Sequence, residues 1–173
     1  WDFAATERKQ KGDDPDYTVG LRLKRHRGIY YIEDVQRVQA TPAEVDRLVK
    51  NTALQDGAGV YIGWEIEPGS SGKKVNQQLV QMLAGYVCRG VHPAGDKLQR
   101  AKPAAAQALA GNVKVVRGVW VGDFLSEVHG FPDLPHDDQV DALSGAFNLL
   151  QEIEPGGAES RIVSRSELAT LFG

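Results

Sequence analysis

The sequence has one cysteine, Cys88, and one methionine, Met82, and it lacks any long apolar run. A single thiol excludes an internal disulfide and a cysteine cluster for zinc, which suits a reducing compartment and makes Cys88 buried filler rather than a nucleophile. Without a stretch of about 18 apolar residues there is no candidate membrane helix. A basic excess is missing too: the formal net charge is -3. Nucleic-acid binders usually carry the opposite sign, so any grip on DNA has to be local. There is no initiator methionine and no targeting segment, and Trp1-Asp2-Phe3-Ala4-Ala5 reads as a strand already under way in a chain excised from something longer. What is present, 42% apolar residues in 173, is enough for one compact core.

After the opening strand, residues 6–16 hold Gly12, Pro15 and three aspartates and read as a loop. Val19, Leu21 and Leu23 alternate with polar positions, His26-Arg27-Gly28 marks a turn, and Ile29 to Val38 is rich in β-branched and aromatic residues, which together predict a hairpin. Thr41-Pro42-Ala43-Glu44 is a capping-box signature and opens a helix to about Gln55. Val60 to Glu67 has the length of a buried strand and Lys74 to Gly85 the spacing of a helix. Tyr86 to Val91 predicts another strand, His92 to Lys102 a partly basic loop, and Pro103 to Ala110 an Ala-rich helix. A short strand at Val113 to Val116 and helices over Val121 to Val128 and Asp137 to Glu152 complete the order. An antiparallel start followed by alternating helices and strands predicts a mixed α/β sheet with helices on both faces. The expected domain is 1–154, and 155–173 reads as a tail or loose helix.

The acids matter by where they fall. Asp2 sits inside an apolar strand, Glu65 and Glu67 end a central strand two residues apart on one face, and Asp137, Asp138 and Asp141 open the last long helix. A carboxylate in an apolar strand is costly to ionise unless it is paired or binds a cation. The bland alternative is that these acids cap helices or pair with arginines, but a strand position offers Asp2 and Glu67 no helix to cap. Converging carboxylates repel one another, and a hard divalent cation, Mg²⁺ or Mn²⁺, is the simplest neutraliser. Two such ions about 3.5–4 Å apart can clamp the attacking and leaving oxygens of a phosphodiester.

The ordered set Trp1-Asp2-Phe3-Ala4-Ala5-Thr6, Asp16-Tyr17-Thr18-Val19, Glu65-Ile66-Glu67-Pro68-Gly69-Ser70-Ser71-Gly72-Lys73 and Phe131-Pro132 with His136-Asp137-Asp138-Gln139-Val140-Asp141-Ala142-Leu143 resembles the C-terminal nuclease domain of tailed-phage terminase large subunits over about residues 1–150. The resemblance implies an RNase H-like fold, with the first three strands antiparallel and later ones parallel. It also implies two divalent metals, Mg²⁺ or Mn²⁺, and cleavage of concatemeric double-stranded viral DNA before and after packaging. The implied partners are DNA, a packaging ATPase domain N-terminal in the same full-length protein, the small terminase subunit and the portal. The implied location is the host cell cytoplasm rather than the mature virion. By motif, Asp2 matches the first-strand aspartate, and the pattern Glu-x-x-Ser-x-Gly puts the second acid on Glu67 with Glu65 competing. Asp138 ranks ahead of Asp137 and Asp141 as the third.

Lys73 and Lys74, and the run Lys97, Arg100 and Lys102, are the candidate DNA contacts, the alternative being a solvated charged surface. Gly69-Ser70-Ser71-Gly72-Lys73 is no phosphate loop: it has two residues between its glycines and Lys74 where Ser or Thr is needed. His136 reads as a surface or supporting residue before a ligand, and His26, His92 and His129 have no zinc spacing. Rival readings are another RNase H-like enzyme, such as a junction resolvase or transposase core, and a non-catalytic DNA-binding or docking module.

Overall fold

In the computed structural model, residues 1–4 and 14–153 are described. The expected tail, 155–173, and most of the expected loop at 6–16 lie outside them. The elements run β1 (Thr18–His26), β2 (Ile29–Val38), α1 (Pro42–Asp56), β3 (Ile62–Glu65), α2 (Ser70–Met82), β4 (Cys88–Val91), α3 (Lys97–Leu109), β5 (Val113–Val115), α4 (Val121–Gly130) and α5 (Asp138–Ile153). None of the described helices is long and apolar enough to cross a membrane.

β1 and β2 pair antiparallel from Thr18↔Val38 to His26↔Ile29. Their two-residue loop is Arg27-Gly28, at φ 50° and 79°. Two successive left-handed residues match the natural twist of a hairpin, and a glycine in the second lowers the strain. β5 adds parallel to β2 on its outer side, Tyr30↔Val113 to Ile32↔Val115. β3 and β4 form a separate parallel pair, Ile62↔Cys88 to Glu65↔Val91, crossed over by α2.

The opening residues join the two halves. Asp2 and Val19 exchange both backbone hydrogen bonds at 2.8 Å, while the Trp1 nitrogen donates to the Gly63 carbonyl at 2.7 Å. The effective order is β5-β2-β1-(1–3)-β3-β4, with β2, β1 and the Asp2 segment antiparallel to one another, β5 parallel to β2, and β3-β4 a parallel pair, in keeping with an RNase H-like α/β fold.

Helices cover both faces. On one, α1 and α2 send Val45, Val49, Ala53, Leu79 and Leu83 against Ile62, Trp64 and Ile66, with Trp1, Phe3 and Cys88 packed alongside. On the other, α4 and α5 bury Phe124 and Ala142 against Val19, Ile32 and Val35, and Phe147 stacks on Tyr30 at 4.2 Å between ring centres, beside Ala104 of α3. Fully burying one such side chain stabilises by roughly 1.5–3 kcal/mol. Burial raises the Cys88 thiol pKa, which fits filler.

Three boundaries differ from the sequence expectation. β3 stops at Glu65, short of Glu67. α2 begins at Ser70 rather than Lys74, because Gly72 lets its first turn rest on the Glu67 carbonyl: a Cβ there would lie 2.0 Å from that oxygen. Of the stretch expected to be a basic loop, 92–96 is loop, but from Lys97 on it is the start of α3, capped by the Asp96 side chain accepting from the Gln99 N–H at 2.8 Å. Pro103 therefore sits inside the helix rather than opening it.

Candidate metal centre

Alternation along the strands sends the acids to one side. Trp1 and Phe3 pack into the α1/α2 core, so Asp2 between them faces α5. In β3, Ile62 and Trp64 enter that same core, leaving Gly63 and Glu65 on the α5 side. A Cβ on Gly63 would meet Leu149 at 2.3 Å, and one on Gly145 would stand 4.0 Å from Glu65 Oε1, so both glycines permit α5 to lie close. The first turn of α5 adds Asp138 and Asp141, both buried.

The fields of these groups overlap. Burial first, then the charges of Asp141 and Glu65, push the Asp2 pKa up to about 8. Burial also raises Glu65, with Arg100 opposing and Asp141 adding. Asp138 is raised by burial too, against the Tyr17 N–H that donates to its Oδ2 at 3.1 Å. Two cations from α3 reach in. Lys97 Nζ lies 2.7 Å from Asp137 Oδ1 and 2.8 Å from Asp141 Oδ2. Arg100 Nη2 donates to Asp141 Oδ1 at 2.9 Å, and its Nε stands 3.5 Å from Glu65 Oε1. Partial burial works against the Lys97 ammonium, yet its bonds to Asp137 and Asp141 hold its pKa above the ordinary value.

Five carboxylates against two cations leave a surplus of hard oxygen donors, partly desolvated, which is the donor chemistry that fits Mg²⁺ or Mn²⁺. Asp2, Glu65, Asp138 and Asp141 sense one another electrostatically, but they are not drawn to common ligating distance. Among the described residues, the set whose ligand atoms lie within 4.8 Å of one another is Asp16, His136 and Asp138. His136 Nε2 is 2.8 Å from Asp14 Oδ2, and its Nδ1 is 3.7 Å from Asp138 Oδ2.

Measured against the sequence expectations, Asp2, Glu65, Asp138 and Asp141 come together. Glu67 does not: it is exposed past the end of β3, and its backbone carbonyl, rather than its side chain, is engaged by the turn that starts α2. Asp137 is half-exposed and bonded to Lys97. Of the expected DNA contacts, Lys73, Lys74 and Lys102 are exposed, whereas Lys97 and Arg100 turn into the acidic group.

Sequence reasoning missed Glu127. Buried on α4, it accepts from the Gln139 N–H and from Gln139 Nε2, both at 2.6 Å, and stands 3.6 Å from Arg37 Nη2. A carboxylate at the N-terminus of α5 satisfies an otherwise orphan N–H and favours the helix dipole, so Glu127 fixes the turn that carries Asp138 and Asp141. Nothing local in the sequence signals this pairing. Arg37 in turn lies over the Tyr17 ring, 3.6 Å from its centre, steadying the residue whose N–H holds Asp138.

A family model described as a terminase RNaseH-like domain matches residues 1–150. No curated protein matches the chain.

Proposed function

The chain belongs to the terminase RNaseH-like domain family, and from that membership we propose a divalent-metal-dependent endonuclease that hydrolyses phosphodiester bonds of concatemeric double-stranded viral DNA with two Mg²⁺ or Mn²⁺ ions. A nuclease-type role in a terminase follows from the family. The metal dependence is supported chiefly by one observation: Asp2, Glu65, Asp138 and Asp141, from three separate elements, face the same side of the sheet where its halves meet, deep enough to push Asp2 up to about 8.

These four side chains would hold the metal. When bound, the ion neutralises charge at the scissile phosphate and lowers the pKa of the attacking water. The chain's own residues do the rest. Glu127 and Tyr17 orient the α5 carboxylates. Lys97 and Arg100 neutralise part of the acidic group. Lys73, Lys74 and Lys102, all exposed, would offer phosphate contacts that position DNA without reading its sequence. On the same reading the domain spans 1–154 and works in the host cytoplasm on double-stranded DNA. It does so beside the packaging ATPase domain of its full-length protein, the small terminase subunit and the portal.

The test is nicking of supercoiled plasmid with Mg²⁺, Mn²⁺ or EDTA. Metal-dependent nicking that disappears in Asp2→Ala is expected. No nicking with Mn²⁺ from a folded preparation, or undiminished nicking by the variant, overturns the assignment. Comparing linear duplex with four-way junctions separates a terminase nuclease, expected to show no junction preference, from a resolvase.

A further inference from the structure

Asp14, Asp16 and His136 have no part in the chemistry above, yet they close one side of Asp138. The 2.8 Å contact between His136 Nε2 and Asp14 Oδ2 places a hydrogen on Nε2, since a carboxylate only accepts, and turns Nδ1 toward Asp138 and Asp16. That Nδ1 is buried and has no hydrogen-bond partner. It stands 3.7 Å from Asp138 Oδ2 and 4.0 Å from Asp16 Oδ1, too far for a hydrogen bond to either. The spacing instead resembles that of ligand atoms around a shared cation, with one atom from each of Asp16, His136 and Asp138 inside a 4.8 Å set.

The surroundings support a ligand role. A histidine that binds metal through one nitrogen nearly always gives its other N–H to a carboxylate or carbonyl, which fixes the tautomer and the ring; Asp14 stands in that position. The Tyr17 ring meets His136 edge-on at 5.2 Å, and the same residue's N–H holds Asp138 Oδ2. We propose that Asp16, Asp138 and His136 Nδ1 bind a divalent transition-metal ion, at a site that shares Asp138 with the Asp2/Glu65/Asp141 group. One nitrogen donor beside two carboxylates selects Mn²⁺, Co²⁺ or Zn²⁺ over Mg²⁺ and Ca²⁺.

The probe is Mn²⁺ alone, added to the whole chain without DNA and read by pulsed EPR for modulation from a directly bound imidazole nitrogen. Modulation is expected in the wild type and in Asp2→Asn, and its loss in His136→Ala. Asp16→Asn, which leaves the ring in place, is expected to weaken Mn²⁺ binding about 10-fold by titration calorimetry. Thermal melts confirm that each variant is folded. No nitrogen modulation in the wild type, or equal modulation in His136→Ala, overturns the site. Plasmid nicking with Mg²⁺ in the same preparations keeps the two ideas apart. Nicking without nitrogen modulation rejects this site and spares the nuclease, while modulation without nicking does the reverse.

Discussion

Replacing Asp2 by Asn should make the metal-free protein more stable at alkaline pH while abolishing cleavage. The Asp2 carboxyl titrates near 8 in the fold against 3.8 for an unperturbed one, chiefly through burial and then through Asp141 and Glu65. Between those values the unfolded chain has lost the proton and the folded chain keeps it, so the folded state binds more protons. Stability therefore falls as pH rises from about 4 to about 8 and levels off above. At about 1.36 kcal/mol per pKa unit the full penalty is close to 6 kcal/mol, an upper bound, since water entry around the ionised group relaxes it to roughly 1–3 kcal/mol. Asn keeps the shape and the backbone bonds to Val19 and has no charge to lose. In EDTA at pH 8.5 the Asp2→Asn protein should melt about 3–10 °C above the wild type, with the gap closing toward pH 5.5. Mn²⁺ should raise the wild-type melting temperature, more at pH 8.5 than at 5.5, and raise that of the variant by less. A variant gap that is absent at pH 8.5, or the same at both pH values, would refute the electrostatic reasoning.

Glu65→Gln should cut plasmid nicking about 100-fold, against less than about threefold for Glu67→Gln, in single-turnover assays; equal losses would return the second acid to Glu67. Glu127→Ala strips Gln139 and Arg37 of their partner and should lower unfolding stability by about 3 kcal/mol in urea titrations, a loss below about 1 kcal/mol showing that the buried carboxylate is no anchor. Lys73→Ala and Lys74→Ala should each reduce the slope of log Kd against log salt for duplex DNA by about 1, whereas an unchanged slope removes them from the DNA surface.

Local signals were readable and long-range ones were not. The Thr41-Pro42-Glu44 start of α1 lies within four residues, and the Glu44 carboxylate accepts from the Thr41 N–H at 2.9 Å as the signature predicts. The start of α3 had a comparable signal in Asp96 and Gln99, but Pro103 drew the boundary to itself because proline is commoner at a helix start than inside one. Glu65 and Glu67 could not be separated by alternation, since both point the same way. The difference is where the strand ends, and that is set by Gly72 docking on the Glu67 carbonyl. The contacts of Glu127 with Gln139 and of Asp16 with His136 join residues brought together by the sheet and by α5. No local pattern of charge or hydropathy could announce them.

The backbone exchange between Asp2 and Val19 has a consequence for when this chain can act. The hairpin of β1 and β2 and the β3-α2-β4 unit can each assemble from near neighbours, but the Asp2 segment is seated only when both are in place, on Val19 to one side and Gly63 to the other. Such non-local pairing is slow to form and early to come apart. The residue that completes the acidic group is thus also the one that certifies the sheet. A half-folded or locally opened chain has its carboxylates scattered, so the proposed metal centre exists only once the sheet is whole.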